Sequence, residues 1–224
     1  MSRRVNAWLA FGFGWCFLLS LSIVSICQVA FEREIYASFY EEEQLDQQLH
    51  VEDGVAFESL NSLLDYIEGK SDSIAAVFNE KEIQHMKDVR GLYDVAIRVK
   101  WVCLSSMLGI AVYFFYYHKK HMFSYLARGI LQSSLCFFAC LLILGMWAFT
   151  DFTDFWYRMH TLVFSNDLWL LDPATDFMIL ICPEALFSTI CLRAGLIFSV
   201  VLAGSLAWSA WYLLKRSIIG FDQI

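Results

Sequence analysis

Four long apolar runs, separated by polar stretches, organise the 224-residue chain. They cover about 6–30, 97–117, 129–150 and 194–214. Each meets the roughly 20-residue length that a helix needs to cross the hydrocarbon core of a bilayer. No Asp or Glu interrupts any of them. The pattern predicts an all-α membrane protein: four transmembrane helices capped by a small, mainly helical extracytoplasmic domain made from the polar segments 31–96 and 151–193. A loop at 118–128 and a tail at 215–224 complete the division of the chain.

Within 31–96 the chain opens acidic, Glu41-Glu42-Glu43, and then takes up helical spacing. Phe57, Leu60, Leu63, Leu64 and Ile67 follow an i, i+3, i+4 pattern that Gly69 ends. Asn79 with Glu82 three positions later forms a capping-box pattern. The helix it starts is expected to run through His85 into the second apolar run, since no proline intervenes and Gly91 is the one glycine before it. His85, Asp88, Val89 and Leu92 share one face of that helix. In 151–193 the density of aromatics from Asp151 to His160, beside an apolar run, predicts an interfacial belt. Asp172-Pro173 is expected to be an N-cap and first helical residue, and Cys182-Pro183 to start a helix leading into the fourth run.

Composition agrees with this division: 58% of residues are hydrophobic and 17% charged, too apolar for a soluble domain of this length. The net charge of -7 is unevenly placed, because every acid except Asp222 falls in 31–96 or 151–193. Arg3 and Arg4, the stretch from His118 to Arg128 with Lys119 and Lys120, and Lys215 with Arg216 lie on one side, which the positive-inside rule assigns to the cytoplasm. Both termini are then cytoplasmic and the two acidic segments face outward. The first run resembles a secretory signal in its charged start, but it is too long, no A-x-A site follows, and Ile26 stands where a lipoprotein cleavage site wants a small residue. Cys16, Cys27, Cys103, Cys136 and Cys140 fall in or at the ends of apolar runs, where cysteine acts as a small hydrophobe. Cys182 and Cys191 lie near an outer boundary, with nothing but location to pair them.

Three histidines belong to the outer segments: His50, His85 and His160. An isolated outer histidine is more often surface or packing than catalysis. His85 is distinguished by Asp88 at i+3, close enough on a helix to hold one ring nitrogen and leave the other free. A zinc site drawn from His85, His160 and Asp88 or Asp176 competes with this, although neither H-E-x-x-H nor a Cys/His cluster appears. No G-x-S-x-G or S-x-x-K pattern marks a serine nucleophile, and no glycine-rich phosphate loop or dinucleotide fingerprint implies a cofactor. The acidic outer face argues against nucleic acid. His118, Lys119, Lys120 and His121 read as a topology anchor facing anionic lipid.

Two stretches carry a resemblance. H-M-K-D-V-R before the second run, and H-T-L-V-F-S-N-D-L-W-L-L-D-P-A-T-D followed by I-C-P-E before the fourth, are similar to the bacterial lipoprotein intramolecular transacylase family. The resemblance implies an integral membrane acyltransferase without a cofactor. Such an enzyme moves an acyl chain from the glyceryl group of a lipoprotein's lipidated N-terminal cysteine to the amino group of the same cysteine, leaving the lyso form. It also implies that the family's two histidines are His85 and His160, with Asn166, Asp172 and Asp176 as further motif positions. The lipidated cysteine and membrane lipid are the implied partners. Converting an ester and an amine into an amide is downhill, which suits the missing nucleotide motifs. Three other readings stay open: a non-enzymatic membrane assembly or partner-binding protein, a metal-dependent membrane hydrolase, and, last, a transporter, for which the runs offer few mid-membrane polar groups beyond Ser105, Ser106 and Ser133.

Overall fold

The computed structural model describes residues 3–221, so Asp222 and the end of the expected tail lie outside the described residues. Among the described residues nine α-helices follow in order: α1 (Arg3–Ala30), α2 (Arg33–Glu42), α3 (Leu45–Leu49), α4 (Val55–Ile67), α5 (Glu80–His118), α6 (Met122–Thr150), α7 (Phe152–Val163), α8 (Phe177–Ile181) and α9 (Glu184–Phe221). A 3-10 turn, Lys119–His121, separates α5 from α6. No strand occurs among the described residues. Among the described residues three helical stretches are long and apolar enough to cross a membrane: Arg3–Ala30, Glu80–Thr150 and Glu184–Ile218. The second is 71 residues long and contains both α5 and α6.

The chain divides into two compact units. The first comprises residues 1–25, 97–146 and 195–224, and so takes in most of α1, the later part of α5, most of α6 and the later part of α9. Its interior holds Leu18, Phe198 and Leu202 in one cluster and Ala10, Phe114 and Leu126 in another. Large apolar residues such as Leu108, Leu135, Ile143 and Val200 are exposed on its outside, a surface that hydrocarbon rather than water suits. Backbone polar groups in such helices are satisfied internally, which is what a bilayer demands.

The contact of α1 with α6 is unusually close. A Cβ on Gly129 would lie 1.9 Å from the Ala10 carbonyl oxygen, and one on Gly14 would lie 2.3 Å from the Gly129 carbonyl oxygen. The Ser133 hydroxyl donates to the Phe11 carbonyl across the same seam at 2.8 Å. Small residues four apart on both helices, Ala10 with Gly14 and Gly129 with Ser133, permit this approach. The buried Asn6 is satisfied by donating to His118 Nε2 and accepting from the Tyr113 hydroxyl.

The second unit comprises residues 26–96 and 147–194. Helix α4 buries Leu60, Leu63 and Leu64 as its periodicity predicts, and Gly69, at φ 74°, closes it with backbone geometry that glycine adopts without strain. Arg33 pairs with both Asp65 and Glu68, fastening α2 to the end of α4. The Tyr40 hydroxyl donates to the Ile181 carbonyl, which joins α2 to α8. Cys182 and Cys191 are free thiols and are not paired with each other.

One expected helix start is displaced. Asp172-Pro173 opens a turn, and α8 begins at Phe177. The Asp172 side chain accepts from the Ala174 amide, and its carbonyl accepts from the amides of Thr175 and Asp176. That local hydrogen bonding competes with a helix and ends before one can grow. Pro183, in contrast, directly precedes α9 as expected.

Candidate active site

Both motif histidines fall in the second unit, one on α5 and one on α7. The capping box forms as the sequence implies: the Asn79 amide donates to Glu82 Oε2 at 2.7 Å, and the Glu82 amide donates to Asn79 Oδ1 at 3.1 Å. With its first turn fixed in this way, α5 presents His85 inward one turn later, buried. Helix α7 is started by Asp151, whose carboxylate accepts from the Asp154 amide at 2.9 Å. Phe152, Trp156 and His160 then recur every four residues and stand in a column on one face.

The two imidazoles lie side by side, with ring centroids 6.3 Å apart and planes tilted by 37°. Phe164 contacts both, at 5.1 Å from His85 and 5.6 Å from His160. Trp156 packs edge-on to His160 at 4.7 Å and Trp169 lies 5.1 Å from it, while Phe187 stacks on Trp156 at 4.5 Å. Trp156, which the sequence assigns to an interfacial belt, thus forms a wall of the histidine pair.

Burial sets the charge of both rings. It pushes His85 down to about 4, with the neighbouring His160 adding to the effect and Asp88 opposing it weakly. Burial also lowers His160, against a smaller opposing effect of its hydrogen bond to the Trp156 carbonyl. Near neutral pH both imidazoles are uncharged. His160 Nδ1 lies 2.8 Å from the Trp156 carbonyl oxygen, which can only accept, so Nδ1 carries the proton and Nε2 keeps its lone pair. His85 Nδ1 is buried without a hydrogen-bond partner. A buried polar atom with no partner, next to a second neutral histidine, is a feature that a bound substrate would relieve.

The remaining predicted residues surround the pair without touching both rings. Asp88 does not hold His85 in this structure: its Oδ2 accepts from Asn166 Nδ2 at 2.9 Å. Asn166 Oδ1 in turn accepts from the Leu168 amide. Asp176, buried, accepts from the Asp172 amide at 2.7 Å, from Asn79 Nδ2 at 2.8 Å, from the Thr175 hydroxyl at 3.1 Å and from Lys81 Nζ at 3.2 Å. The backbone bond from Asp172, with help from Asn79 and Lys81, holds its carboxyl down at about 2. Asp172 shapes its own turn. Together these residues tie the 164–176 segment, and with it Phe164 and Trp169, to the first turns of α5.

Glu82 completes the tie and was not among the residues singled out for function. It is fully buried and its Oε1 accepts from the Met178 amide while Oε2 accepts from Asn79. The capping-box spacing reveals the second bond and gives no sign of the first, which comes from 96 residues away. His50, the third outer histidine, sits apart with a left-handed backbone, its Nδ1 on the Gln47 carbonyl. Among the described residues no group of three or more His, Cys, Asp or Glu is placed to hold a metal ion.

Comparison with known proteins identifies the lineage. The sequence model described as lipoprotein intramolecular transacylase Lit matches residues 11–187. No curated protein sequence matches the chain. Among solved structures, the membrane-integral lipoprotein intramolecular transacylase Lit from Bacillus cereus, determined in meso, is similar with a TM-score of 0.76 at 17% identity, over 97% of this chain and 100% of that one. The same protein with an H85A mutation gives a TM-score of 0.74 at 13% identity, covering 96% of each chain. With an H85R mutation it gives 0.74 at 13% identity, covering 96% of this chain and 95% of the other. At such identities these likenesses concern the fold, and they accord with the long apolar helices of a membrane protein. The family match spans well over half of the sequence, and the chain belongs to the lipoprotein intramolecular transacylase family Lit, a family of transferase enzymes.

Proposed function

We propose that this chain moves an acyl chain from the glyceryl group of a diacylglyceryl-cysteine lipoprotein to the α-amino group of the same cysteine, with His85 and His160 as the catalytic residues. The observation that carries this reading is the pair itself: two buried, uncharged imidazoles 6.3 Å apart, one oriented through Nδ1 and the other with an unsatisfied Nδ1.

In sequence the Asp88 spacing favours His85 as the general base, whereas the geometry favours His160. The amine nitrogen attacks the ester carbonyl carbon, and the carbonyl electrons move to oxygen. His160, whose Nε2 lone pair is free, takes the proton from the attacking nitrogen. His85, kept neutral by burial, donates an N–H to the oxyanion, a role for which an uncharged imidazole suffices. Collapse of the tetrahedral intermediate breaks the bond to the glyceryl oxygen, which receives the proton back from His160. The products are an amide and a free hydroxyl, and the mass is unchanged.

The energetics are modest. An α-amino group has a pKa of roughly 7.7 to 8.0, so generating the free amine at neutral pH costs about 1 kcal/mol. Alignment contributes more, since well-oriented intramolecular reactions reach effective molarities of roughly 10⁵ M or above. The tie formed by Asp88, Asn166, Asp172 and Asp176 supports that alignment by fixing the walls of the pair.

In the same reading the chain crosses the membrane four times, at 6–30, 97–117, 129–150 and 194–214, with both termini cytoplasmic and the histidines at the extracytoplasmic face. The basic residues near the 3-10 turn, and the restriction of acids to the histidine-bearing unit and to Asp222, support that orientation. The test is fragmentation mass spectrometry of lipoprotein N-termini from cells with and without this protein. Transfer of one fatty acyl group from glycerol to nitrogen is expected only in its presence. Identical N-termini in both would overturn the proposal.

A further inference from the structure

Away from the histidine pair, the first unit contains a cleft of about 340 Å³ beside the 3-10 turn. Its polar lining comprises His121, Ser124, Tyr125, Arg128, Arg216 and Ser217. No Asp or Glu occurs among the described residues of this unit. Arg216 is half-buried and spends its donors on neutral acceptors: Nη1 on the Ser124 hydroxyl at 3.0 Å and Nη2 on His121 Nδ1 at 2.9 Å. Arg128 makes no hydrogen bond or ion pair among the described residues.

These contacts leave the cleft rich in donors. A guanidinium only donates, so Nδ1 of His121 must accept and its Nε2 carries the proton. The Ser124 oxygen likewise accepts from Arg216, which frees its hydrogen to donate elsewhere. Two guanidinium groups, an imidazole N–H and hydroxyls around one cavity complement a tetrahedral oxyanion. Phe123 and Leu214, next in sequence to the lining residues Ser124 and Leu213, are exposed apolar residues, as suits a headgroup whose acyl chains lie along the helices.

We infer that this cleft binds a phosphate group, carried by an anionic phospholipid or free in solution. The neighbouring lysines differ in kind. Lys119 lies over Phe115 and Lys215 over Trp211 as exposed point charges, the arrangement of a general topology anchor.

Native mass spectrometry of the purified full-length protein tests the site, with phosphatidylglycerol and phosphatidylcholine as lipid probes. Thermal unfolding in millimolar inorganic phosphate forms a separate arm. The wild type is expected to retain phosphatidylglycerol over phosphatidylcholine, and Arg128→Gln to lower that retention about tenfold. Arg128 is exposed and has no partner among the described residues, so the variant should fold. A Lys119→Gln/Lys120→Gln double variant should change retention by about twofold at most, although it removes more charge. Phosphate-dependent stabilisation of the wild type and not of Arg128→Gln, without lipid preference, assigns the site to free phosphate. The inference is overturned if the lysine variant loses as much as Arg128→Gln, or if neither lipid preference nor phosphate stabilisation is found.

Discussion

Replacing Glu82 by Gln tests whether the tie between α5 and the segment before α8 positions the histidines. The carboxylate is fully buried and accepts two backbone N–H groups, from Asn79 at 2.7 Å and from Met178 on its other oxygen. Glutamine keeps the shape and offers one acceptor, so its amide N–H₂ must face one of those N–H groups. Losing a hydrogen bond to a charged acceptor costs roughly 1.5–3 kcal/mol, and an unsatisfied buried N–H costs roughly 1–3. Relief of the buried charge offsets part of this. The anion at the first turn of a long helix is also favoured by the helix dipole, by roughly 0.3–1 kcal/mol. A net loss of about 1–3 kcal/mol is expected, which for a chain of this size lowers Tm by roughly 3–10 °C. Thermal unfolding in detergent, followed by circular dichroism, measures it. Transfer by the folded fraction should fall less than in histidine variants, because Glu82 touches neither ring. An unchanged or higher Tm would refute the reasoning, since it would mean that desolvation of the carboxylate outweighs its two bonds.

Other consequences follow from single contacts. Gly129→Ala puts a methyl group 1.9 Å from the Ala10 carbonyl oxygen, so α1 and α6 must separate. A loss of roughly 1–3 kcal/mol, seen as a lower Tm, is expected, whereas Gly145→Ala, with open space around it, should be tolerated. Because burial depresses His85 from 6.5 to about 4, the unfolded chain binds the proton first as pH falls. Stability should therefore drop by up to about 3 kcal/mol between pH 6.5 and 4, and His85→Gln should flatten that slope in pH-dependent denaturation. Asn166→Ala removes the donor to Asp88 on an exposed surface and should cost about 1 kcal/mol or less. Its larger effect is expected on kcat through the position of Phe164, measured by loss of the substrate's reactive amine.

Local rules reached much of this fold. The Asn79-Glu82 box, the continuous helix through His85, the α4 stripe ended by Gly69, and the start of α9 after Pro183 all depend on residues a few positions apart. Where two segments compete for the same group, spacing misleads. Asp88 at i+3 is well placed for His85, yet Asn166, 78 residues away, takes its carboxylate. Asp172-Pro173 has the residues of a helix start, but its own turn uses the hydrogen bonds first. The tautomer of His160 rests on a carbonyl four residues back, readable only once 152–163 is known to be helical. The α1–α6 seam depends on small residues whose partners lie more than 100 positions apart, beyond any periodicity.

The central claim is that His85 and His160 perform the transfer. The measurement that addresses it most directly is the rate at which purified His85→Gln and His160→Gln, each verified as folded, convert a diacylglyceryl-cysteine peptide, read by loss of its free α-amine and by fragmentation. Loss of a positioned acid or base typically costs 10²–10⁴-fold, and at least about a hundredfold is expected for His160→Gln, with a smaller but clear loss for His85→Gln. Transfer at the wild-type rate by both variants would contradict the account.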